Sequence, residues 1–296
     1  MTSPKRFSIG PAGAEIAMLQ WGERGKPAAL LVHGTGFVAD VWDEVARELA
    51  SAYTVFALDR RGHGESHKPG AYHFLDYADD LCRLIDTLEL NDIYGIGHSA
   101  GATDLLLAAK LLPGRFTRLF VMEPTVMDPR AARPGPLNDE SIARVEGTLR
   151  RRAEFESAEA VLERYRLAPA FADWTETSLQ AYVRHGFTTL DDGRVRLCCT
   201  PEIESAILRP IYEAMEQVYA GDARGNPFGL LAGLDCPVRV TTAAKSGPIY
   251  KDMAARAVSL IPGASTLVFE NAGHCVAQEM PAAVVSAVRA FAKSRP

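Results

Sequence analysis

The chain has 296 residues, of which 47% are hydrophobic, 23% charged and 8% aromatic, and this composition excludes intrinsic disorder, collagen and coiled coil. Its formal net charge of −5, from 32 Lys and Arg against 37 Asp and Glu, offers no positive field that would gather nucleic acid. A chain of this length buries a large core without disulfides or metals, and it allows one domain or two.

Cysteine usage and the N-terminus predict a reduced, cytoplasmic protein. The five cysteines lack the spacing of a disulfide framework, and the adjacent Cys198 and Cys199 lack the spacing of a C-x-x-C zinc or redox motif. The basic residues near the N-terminus are not followed by an apolar segment, and no apolar run is long enough to cross a membrane. We expect no secretory signal, no membrane association and no metal site.

The first 126 residues alternate strand patterns with helical patterns. Strands are predicted at 28–34, 53–59, 91–99 and 118–124, and helices at 40–50, 74–90 and 102–112. Alternation at this spacing is typical of a parallel sheet that is covered by helices on both faces. The predicted fold class is therefore α/β.

The pattern changes at about residue 127. A proline-rich stretch at 127–139 indicates a linker, and the residues after it combine helical periodicity with many aromatic side chains. After a second loop at 221–229, strands are predicted at 236–244 and 265–270 and helices at 251–261 and 282–294. The sequence thus predicts one sheet domain in two segments, 1–126 and 230–296, with residues 127–229 inserted as a helical layer.

The sharpest motif is Gly97-His98-Ser99-Ala100-Gly101, a G-x-S-x-G sequence between a predicted strand and a predicted helix. A serine at such a turn occupies a strained backbone conformation that projects its hydroxyl above the sheet. The flanking glycines let the strand and the helix approach closely. Ser99 is therefore the predicted nucleophile.

An upstream loop, His33-Gly34-Thr35-Gly36, follows the first predicted strand. A loop at that place supplies one backbone N–H to a developing oxyanion, and the residue after the nucleophile supplies the second. We expect these donors to be Thr35 and Ala100. His33 is expected to be a structural, hydrogen-bonded histidine.

The predicted general base is His274, in a glycine-containing loop between the last predicted strand and the last predicted helix. A base for Ser99 belongs on a loop at the carboxyl edge of the sheet, and of the seven histidines only His274 combines that position with that context. Its neighbour Cys275 is expected to be a packing residue.

Four motifs, HGTG, DRRGHGES, GHSAG and NAGH, stand in the order found in the α/β-hydrolase family, and the chain resembles that family over nearly the whole sheet domain. The resemblance implies an α/β-hydrolase fold with a mostly parallel sheet. It equates residues 127–229 with the family's helical cap. It also implies a small-molecule enzyme that needs neither a metal nor a cofactor.

The chain departs from the usual family pattern at the acid that orients the histidine. Many members carry an aspartate after the strand before the last, where this chain has Ser246. Some members, certain haloalkane dehalogenases among them, take the acid from the end of the strand after the nucleophile helix, which is Glu123 here. The resemblance thus implies Glu123 as the acid, with strand-end capping as its alternative role. Other carboxylates are less well placed: Asp235, Asp252 and Glu270.

These residues predict a serine hydrolase that cleaves an ester or lactone of a small, moderately hydrophobic molecule through an acyl-enzyme. Serine rather than aspartate at position 99 disfavours alkyl-enzyme chemistry. Hydrolysis of carbon–carbon, thioester or amide bonds uses the same residues and stays open. A homo-oligomer is compatible with the sequence.

Two other classes of function also stay open. The stretch Gly95-x-Gly97-x-x-Ala100 is similar to a dinucleotide-binding fingerprint, with Glu123 near the place of its ribose-binding acid. Against an oxidoreductase, this strand is not the first of the predicted sheet, and the loop of His274 would have no role. The second class is a binding protein with a hydrolase fold and a weakened triad, suggested by Ser246.

Overall fold

The computed structural model describes residues 3–126, 145–219 and 227–294. Its strands are β1 (Lys5–Ile9), β2 (Ile16–Trp21), β3 (Ala28–Val32), β4 (Thr54–Leu58), β5 (Ile93–His98), β6 (Phe116–Met122), β7 (Glu154–Phe155), β8 (Phe187–Thr189), β9 (Val195–Leu197), β10 (Val238–Ala243) and β11 (Ser265–Phe269). Its α-helices are α1 (Asp43–Leu49), α2 (Phe74–Thr87), α3 (Ala100–Leu111), α4 (Ala158–Arg166), α5 (Glu176–His185), α6 (Pro201–Tyr219), α7 (Pro248–Leu260), α8 (Val276–Glu279) and α9 (Pro281–Lys293). The linker predicted at 127–139 and most of the loop predicted at 221–229 lie outside the described residues.

An eight-stranded sheet organises the fold, in the order β1-β2-β4-β3-β5-β6-β10-β11. The first two strands pair antiparallel, β2 pairs antiparallel with β4, and the remaining neighbours are parallel. This arrangement confirms the predicted mostly parallel α/β sheet. The parallel strands β3, β5, β6, β10 and β11 all end at one edge, so the loops that follow them meet there.

Each face of the sheet carries its own hydrophobic core, because successive side chains of a strand point to opposite faces. Ala29 and Leu31 of β3 belong to the core that also contains side chains of α1 and α9. Leu30 and Val32 belong to the core with α2, α3 and α7. The helix α3 is buried around most of its circumference, as its largely apolar sequence predicts. Its N-terminus is therefore held firmly against the sheet.

The N-terminal hairpin of β1 and β2 extends the sheet beyond the strands that periodicity predicts. The sequence of β1, KRFSI, is mostly exposed and has no apolar run. Its partner β2 is completely buried, yet it lies outside the strand–helix alternation. Both strands are positioned by their antiparallel pairing, which no local pattern encodes.

The chain leaves the main sheet between β6 and β10. The described part of this stretch contains α4, α5 and α6 together with a separate antiparallel sheet in the order β7-β9-β8. The sequence predicted only helical structure here, because strands of two or three residues carry no detectable period. Its aromatic side chains pack on one another, with ring centroids of Tyr165 and Phe171 4.4 Å apart, and on Phe37 of the main domain, 5.5 Å from Tyr182.

Three further observations concern membrane crossing, metal binding and disulfide bonds. None of the described helices combines the length and the apolar character that a membrane crossing requires. Within the described ranges, no cluster of three or more His, Cys, Asp or Glu is suited to a metal ion. All five cysteines belong to the described ranges, and none forms a disulfide there.

Candidate active site

Ser99 lies at the turn between β5 and α3, with φ of 53° and ψ of −123°. Such a positive φ is strained for any residue with a side chain. The neighbouring glycines are required by close approach: a Cβ at Gly97 would lie 2.6 Å from Cα of Ala102, and one at Gly101 would lie 2.4 Å from the His33 carbonyl oxygen. The motif therefore folds into the sharp turn that its spacing predicts.

His274 and Glu123 lie in hydrogen-bond contact, with 2.6 Å between Nδ1 of the imidazole and Oε2 of the carboxylate. Because a carboxylate oxygen accepts hydrogen bonds, Nδ1 of the imidazole is the donor in this contact, and in that tautomer Nε2 is left as an acceptor. The ring of Tyr250 stacks on the imidazole at 3.7 Å between centroids. The imidazole is thus held along one edge and on one face.

Glu123 is completely buried at the end of β6, with φ of 47°. Its Oε1 accepts the Ala243 N–H at 2.9 Å, and its Oε2 accepts the hydroxyl of Ser246 at 2.8 Å as well as the His274 N–H. These three hydrogen bonds fix the position of the carboxylate. Sequence reasoning treated Ser246 only as a missing acid, whereas the structure makes it a hydrogen-bond donor to Glu123.

The other carboxylates considered from sequence have different surroundings. Asp235 accepts the Gly114 N–H at 2.8 Å, before the start of β10 rather than at its carboxyl end. Asp252 and Glu270 are exposed to solvent. The structure therefore brings Glu123, and none of these three, to His274.

The predicted oxyanion donors, Thr35 and Ala100, line the same cavity as Ser99. Ala100 is the first residue of α3, where backbone N–H groups have no partner within the helix. Within the described part of the chain, neither residue's N–H donates a hydrogen bond. The two groups are therefore available to an oxygen atom bound in the cavity.

The loop that carries Thr35 is braced from three directions. The N–H of Gly36 donates to Nε2 of His63 at 3.0 Å, and its carbonyl accepts the hydroxyl of Tyr182 at 2.9 Å. The Arg60 guanidinium donates to Oγ1 of Thr35 at 3.4 Å. These contacts restrict the direction in which the Thr35 N–H points, and sequence reasoning found none of them.

Three buried histidines near the site are structural. His33 contacts the Gly34 carbonyl at 2.7 Å and accepts the Arg60 N–H at 3.0 Å, as expected for a hydrogen-bonded residue. Burial holds the pKa of His33 well below its usual 6.5 and lowers the pKa of His63 and of His98 to about 3. All three rings are therefore neutral at physiological pH.

A buried ion pair joins the loop after β4 to α3. Nε of Arg60 is 2.6 Å from Oδ2 of Asp104, and both side chains are nearly inaccessible. The guanidinium also lies over the ring of Tyr77, 4.1 Å from its centroid. Burial raises the pKa of Asp104 to about 6. The sequence carried a signal for Asp104, the single acidic residue in the apolar helix that follows Ser99, but none for its partner Arg60.

A cavity of about 480 Å³ lies above these groups. Its walls come from the main domain and from the segment between β6 and β10. The described residues that line it are Gly34, Thr35, Phe37, His98, Ser99, Ala100, Thr125, Gly147, Thr148, Arg151, Glu204, Leu208, Ile249, Tyr250, Met253 and His274. A cavity of this size suits a small-molecule ligand.

Cys275, next to His274, has the surroundings of a packing residue. Its backbone N–H donates to Glu279 at 3.1 Å, and the side chain packs against the core that contains α9. Burial raises the pKa of its thiol to about 12, so almost no thiolate exists near neutral pH. Cys275 therefore lacks the thiolate that a cysteine nucleophile requires.

Similar sequences include several enzymes. A 120-residue stretch is 36% identical to a non-heme chloroperoxidase of Streptomyces lividans and covers 39% of this chain but only 44% of that relative. A 95-residue stretch is 34% identical to a bifunctional esterase/perhydrolase of Acinetobacter calcoaceticus, of which it covers 34%. A 2-(acetamidomethylene)succinate hydrolase of Mesorhizobium japonicum is 26% identical over 270 residues, covering 90% of this chain and 87% of the relative.

Solved structures agree on the fold. An E-2-(acetamidomethylene)succinate hydrolase superposes with a TM-score of 0.78 at 21% identity, over 98% of this chain and 100% of that one. The thioesterase domain from the curacin biosynthetic pathway gives 0.76 at 20% identity, over 97% and 100% of the two chains. A model of the alpha/beta hydrolase family matches residues 29–287. The family match confirms the resemblance that the four sequence motifs indicated, and the chain belongs to the alpha/beta hydrolase family.

Proposed function

We propose that the protein is a serine hydrolase that cleaves a carboxylic ester or lactone of a small, moderately hydrophobic molecule. The observation that carries this proposal is the 2.6 Å contact between His274 Nδ1 and Glu123 Oε2, beside the cavity that Ser99 lines. The proposed nucleophile Ser99, acid Glu123 and base His274 stand in that order along the chain, which is the order usual in α/β-hydrolases. The strained turn at Ser99 supports a nucleophile, since strain of this kind clusters at functional sites.

In the proposed mechanism, Oγ of Ser99 attacks the substrate carbonyl carbon while Nε2 of His274 takes the hydroxyl proton. The carbonyl oxygen becomes an oxyanion that the N–H groups of Thr35 and Ala100 bind. The carbon–oxygen bond to the leaving group then breaks, and His274 returns its proton to the departing alcohol. Water, deprotonated by the same imidazole, attacks the acyl-enzyme and releases the acid and free Ser99.

Glu123 would keep Nδ1 protonated and stabilise the imidazolium that forms in each half-reaction. Its buried carboxylate is held by the Ala243 N–H and the Ser246 hydroxyl, so it reaches His274 without a change of position. This support argues against a weakened triad and therefore against the binding-protein alternative. Close packing of the Gly101 turn against β3, together with the family match, argues against a dinucleotide site.

The proposal treats residues 127–229 as a cap. Arg151, Glu204 and Leu208 of this segment line the cavity together with Ser99 and His274. The walls also carry apolar side chains, among them Phe37 and Met253, which suit a moderately hydrophobic acyl group. The proposed setting is a cytoplasmic enzyme acting on a small molecule, in line with its unpaired cysteines.

Amide hydrolysis is the second candidate. The Mesorhizobium relative, which matches along most of both chains, is named for the hydrolysis of 2-(acetamidomethylene)succinate. An amide needs a proton on its departing nitrogen, and the imidazolium formed at His274 in the first step can donate it. Thioester and carbon–carbon bond cleavage would use the same residues and belong in the same substrate panel.

The test is turnover of p-nitrophenyl acetate and butyrate, γ-lactones and N-acetyl enamides by the wild type and by Ser99→Ala. We expect ester or lactone turnover in the wild type and a loss of at least about 10³-fold in kcat for the variant, because the nucleophile is removed. Ser259→Ala, which alters an exposed hydroxyl of α7, is the matched control and should keep full activity. A serine-directed phosphonate should add its mass to the peptide containing Ser99.

Two results would contradict the proposal. Turnover that survives in Ser99→Ala would remove the nucleophile assignment. Absence of turnover over the whole panel, with no phosphonate labelling of the folded wild type, would favour a binding protein. Enamide turnover without ester or lactone turnover would favour the amide candidate.

A further inference from the structure

The cavity above Ser99 has charged side chains in its wall as well as apolar ones. Arg151 and Glu204 line it, and Arg151 is the sole Lys or Arg among its described lining residues. Nη1 of Arg151 donates to Oε2 of Glu204. The pair thus joins two separate stretches of the proposed cap, one that precedes β7 and one in the first turn of α6.

This ion pair lies beside the loop that carries a predicted oxyanion donor. A Cβ built on Gly36 would be 3.9 Å from the carboxylate of Glu204, and Gly36 directly follows Thr35. A substrate whose carbonyl is bound by Thr35 would therefore place its neighbouring atoms close to the pair. The charges belong to the substrate site and not to a distant surface.

Arg151 and Glu204 differ in their exposure to solvent, and this difference indicates whether the site favours an anionic or a cationic ligand. The side chain of Arg151 is 40% exposed and that of Glu204 only 15% exposed. Glu204 contacts one nitrogen of a guanidinium that has five N–H donors, so the arginine keeps donors that this contact does not use. The accessible partner is the cation, and the group it would bind is an anion.

With an uncharged substrate, this pair would only join the two stretches of the proposed cap. An ion pair in a partly apolar wall costs desolvation and contributes little to stability by itself. A carboxylate ligand changes this balance, because guanidinium and carboxylate groups form parallel, charge-assisted hydrogen bonds that strengthen in apolar surroundings. Glu204 would hold the guanidinium in place while the ligand occupies another side of it.

We propose that Arg151 binds a carboxylate of the substrate, so that the enzyme prefers half-esters or half-amides of short dicarboxylic acids. This inference rests on the proposed function, since it names the substrate class of the same site. Arg151 is then a specificity-determining residue, and Glu204 is a positioning residue that acts through it.

The test compares three ethyl esters of matched length by proton release. Monoethyl glutarate carries a carboxylate, ethyl 5-methylhexanoate replaces it with an isosteric isopropyl group, and ethyl 4-(trimethylammonio)butanoate carries a cation. We expect the wild type to have a kcat/KM for the anionic ester at least about tenfold above the neutral one, the scale of one charge-assisted contact. The cationic ester should be the poorest substrate.

Substitutions at Arg151 and at Glu204 test the contribution of each charge to this preference. Arg151→Met should lower kcat/KM for the anionic ester at least about tenfold more than for the neutral ester, and Arg151→Lys should keep part of the preference. Glu204→Gln keeps a side-chain oxygen that can accept from the guanidinium and so hold it in place, while it removes a negative charge beside the ligand; the preference for the anionic ester should therefore be kept or increased, and its loss would contradict the positioning role of Glu204. Arg152→Met is the matched control: this exposed neighbour pairs with Glu156, and its loss should leave both rates unchanged.

A binding measurement keeps this test independent of catalysis. Glutarate should bind the wild type and Arg152→Met in calorimetry and fail to bind Arg151→Met. Equal rates on anionic and neutral esters, a preference for the cationic ester, or an anionic preference that survives in Arg151→Met would each overturn the inference. If the wild type cleaves no ester, the proposed function fails, whereas glutarate binding and its loss in Arg151→Met still decide the carboxylate site.

Discussion

The floor and the roof of the cavity are built by different physical means. The floor, made of the turns after β3, β5 and β6, is held by buried hydrogen bonds and by close backbone contacts, as at Glu123 and Gly101. The roof, made of residues 145–219, is held by stacked aromatic rings and by exposed ion pairs such as Arg166–Glu176. Single atoms of the floor are thus closely constrained, and we expect substitutions in the roof to be better tolerated.

The largest expected effect tests the floor at Glu123, the proposed triad acid. Glu123→Gln keeps the size of the side chain but removes its charge, so kcat should fall by about 10⁴-fold, as it does when a triad acid is neutralised. Steady-state kinetics on the best ester measures this effect, and circular dichroism checks that the fold is retained. Wild-type activity in this variant would disprove the role of Glu123.

Ser246 provides the matched control for that experiment. Ser246→Ala removes one hydrogen bond to the acid, so kcat should fall by about tenfold at most, the scale of a single hydrogen bond. The double variant Glu123→Gln with Ser246→Asp moves the acid to the position usual in the family. Partial recovery relative to Glu123→Gln would support the shifted acid.

The second prediction compares a buried ion pair of the floor with an exposed one of the roof. Asp104→Asn leaves the buried Arg60 without its counter-charge and should cost about 3–5 kcal/mol of unfolding free energy. Glu176→Gln removes the partner of the exposed Arg166 and should leave the denaturation midpoint unchanged. Chemical denaturation measures both. Equal effects would show that floor and roof do not differ in this respect.

The third and smallest effect concerns pH. The pKa of His63 is lowered to about 3 in the folded state, so below its usual 6.5 the unfolded chain binds a proton that the folded chain does not. Stability from this group is therefore complete above pH 6.5 and is lost as the pH falls towards 3. His63→Gln should reduce the acid-induced loss of unfolding free energy by at most about 1.4 kcal/mol per pH unit.

Denaturation of wild type and His63→Gln between pH 7 and pH 5 isolates this contribution. Other buried groups titrate in the same range, Asp104 with the opposite sign because its pKa is raised to about 6, but they are present in both proteins and cancel in the difference. Parallel pH profiles for the two proteins would contradict a neutral, buried His63.

The contrast between floor and roof also describes what the sequence can predict. The strand–helix alternation and the glycine spacing around Ser99 are local, and they predicted the sheet and the turn. The pairing of Arg60 with Asp104 and of Ser246 with Glu123 joins residues far apart in the chain, so it becomes visible only in the fold. The β7-β9-β8 sheet was missed because its strands are too short for a period.

The position of Glu123 has a consequence for how such an enzyme can diversify. With Glu123 at the end of β6, the loop after β10 contributes a single side-chain hydroxyl, that of Ser246, to the hydrogen bonds of this carboxylate. The helix α7, which follows that loop, presents Ile249 and Tyr250 to the cavity. Changes at Ile249 can therefore alter the fit of a ligand without displacing the carboxylate. Because the carboxylate stands at the end of β6, the region after β10 can change its contacts with a ligand while the end of β6 keeps its sequence.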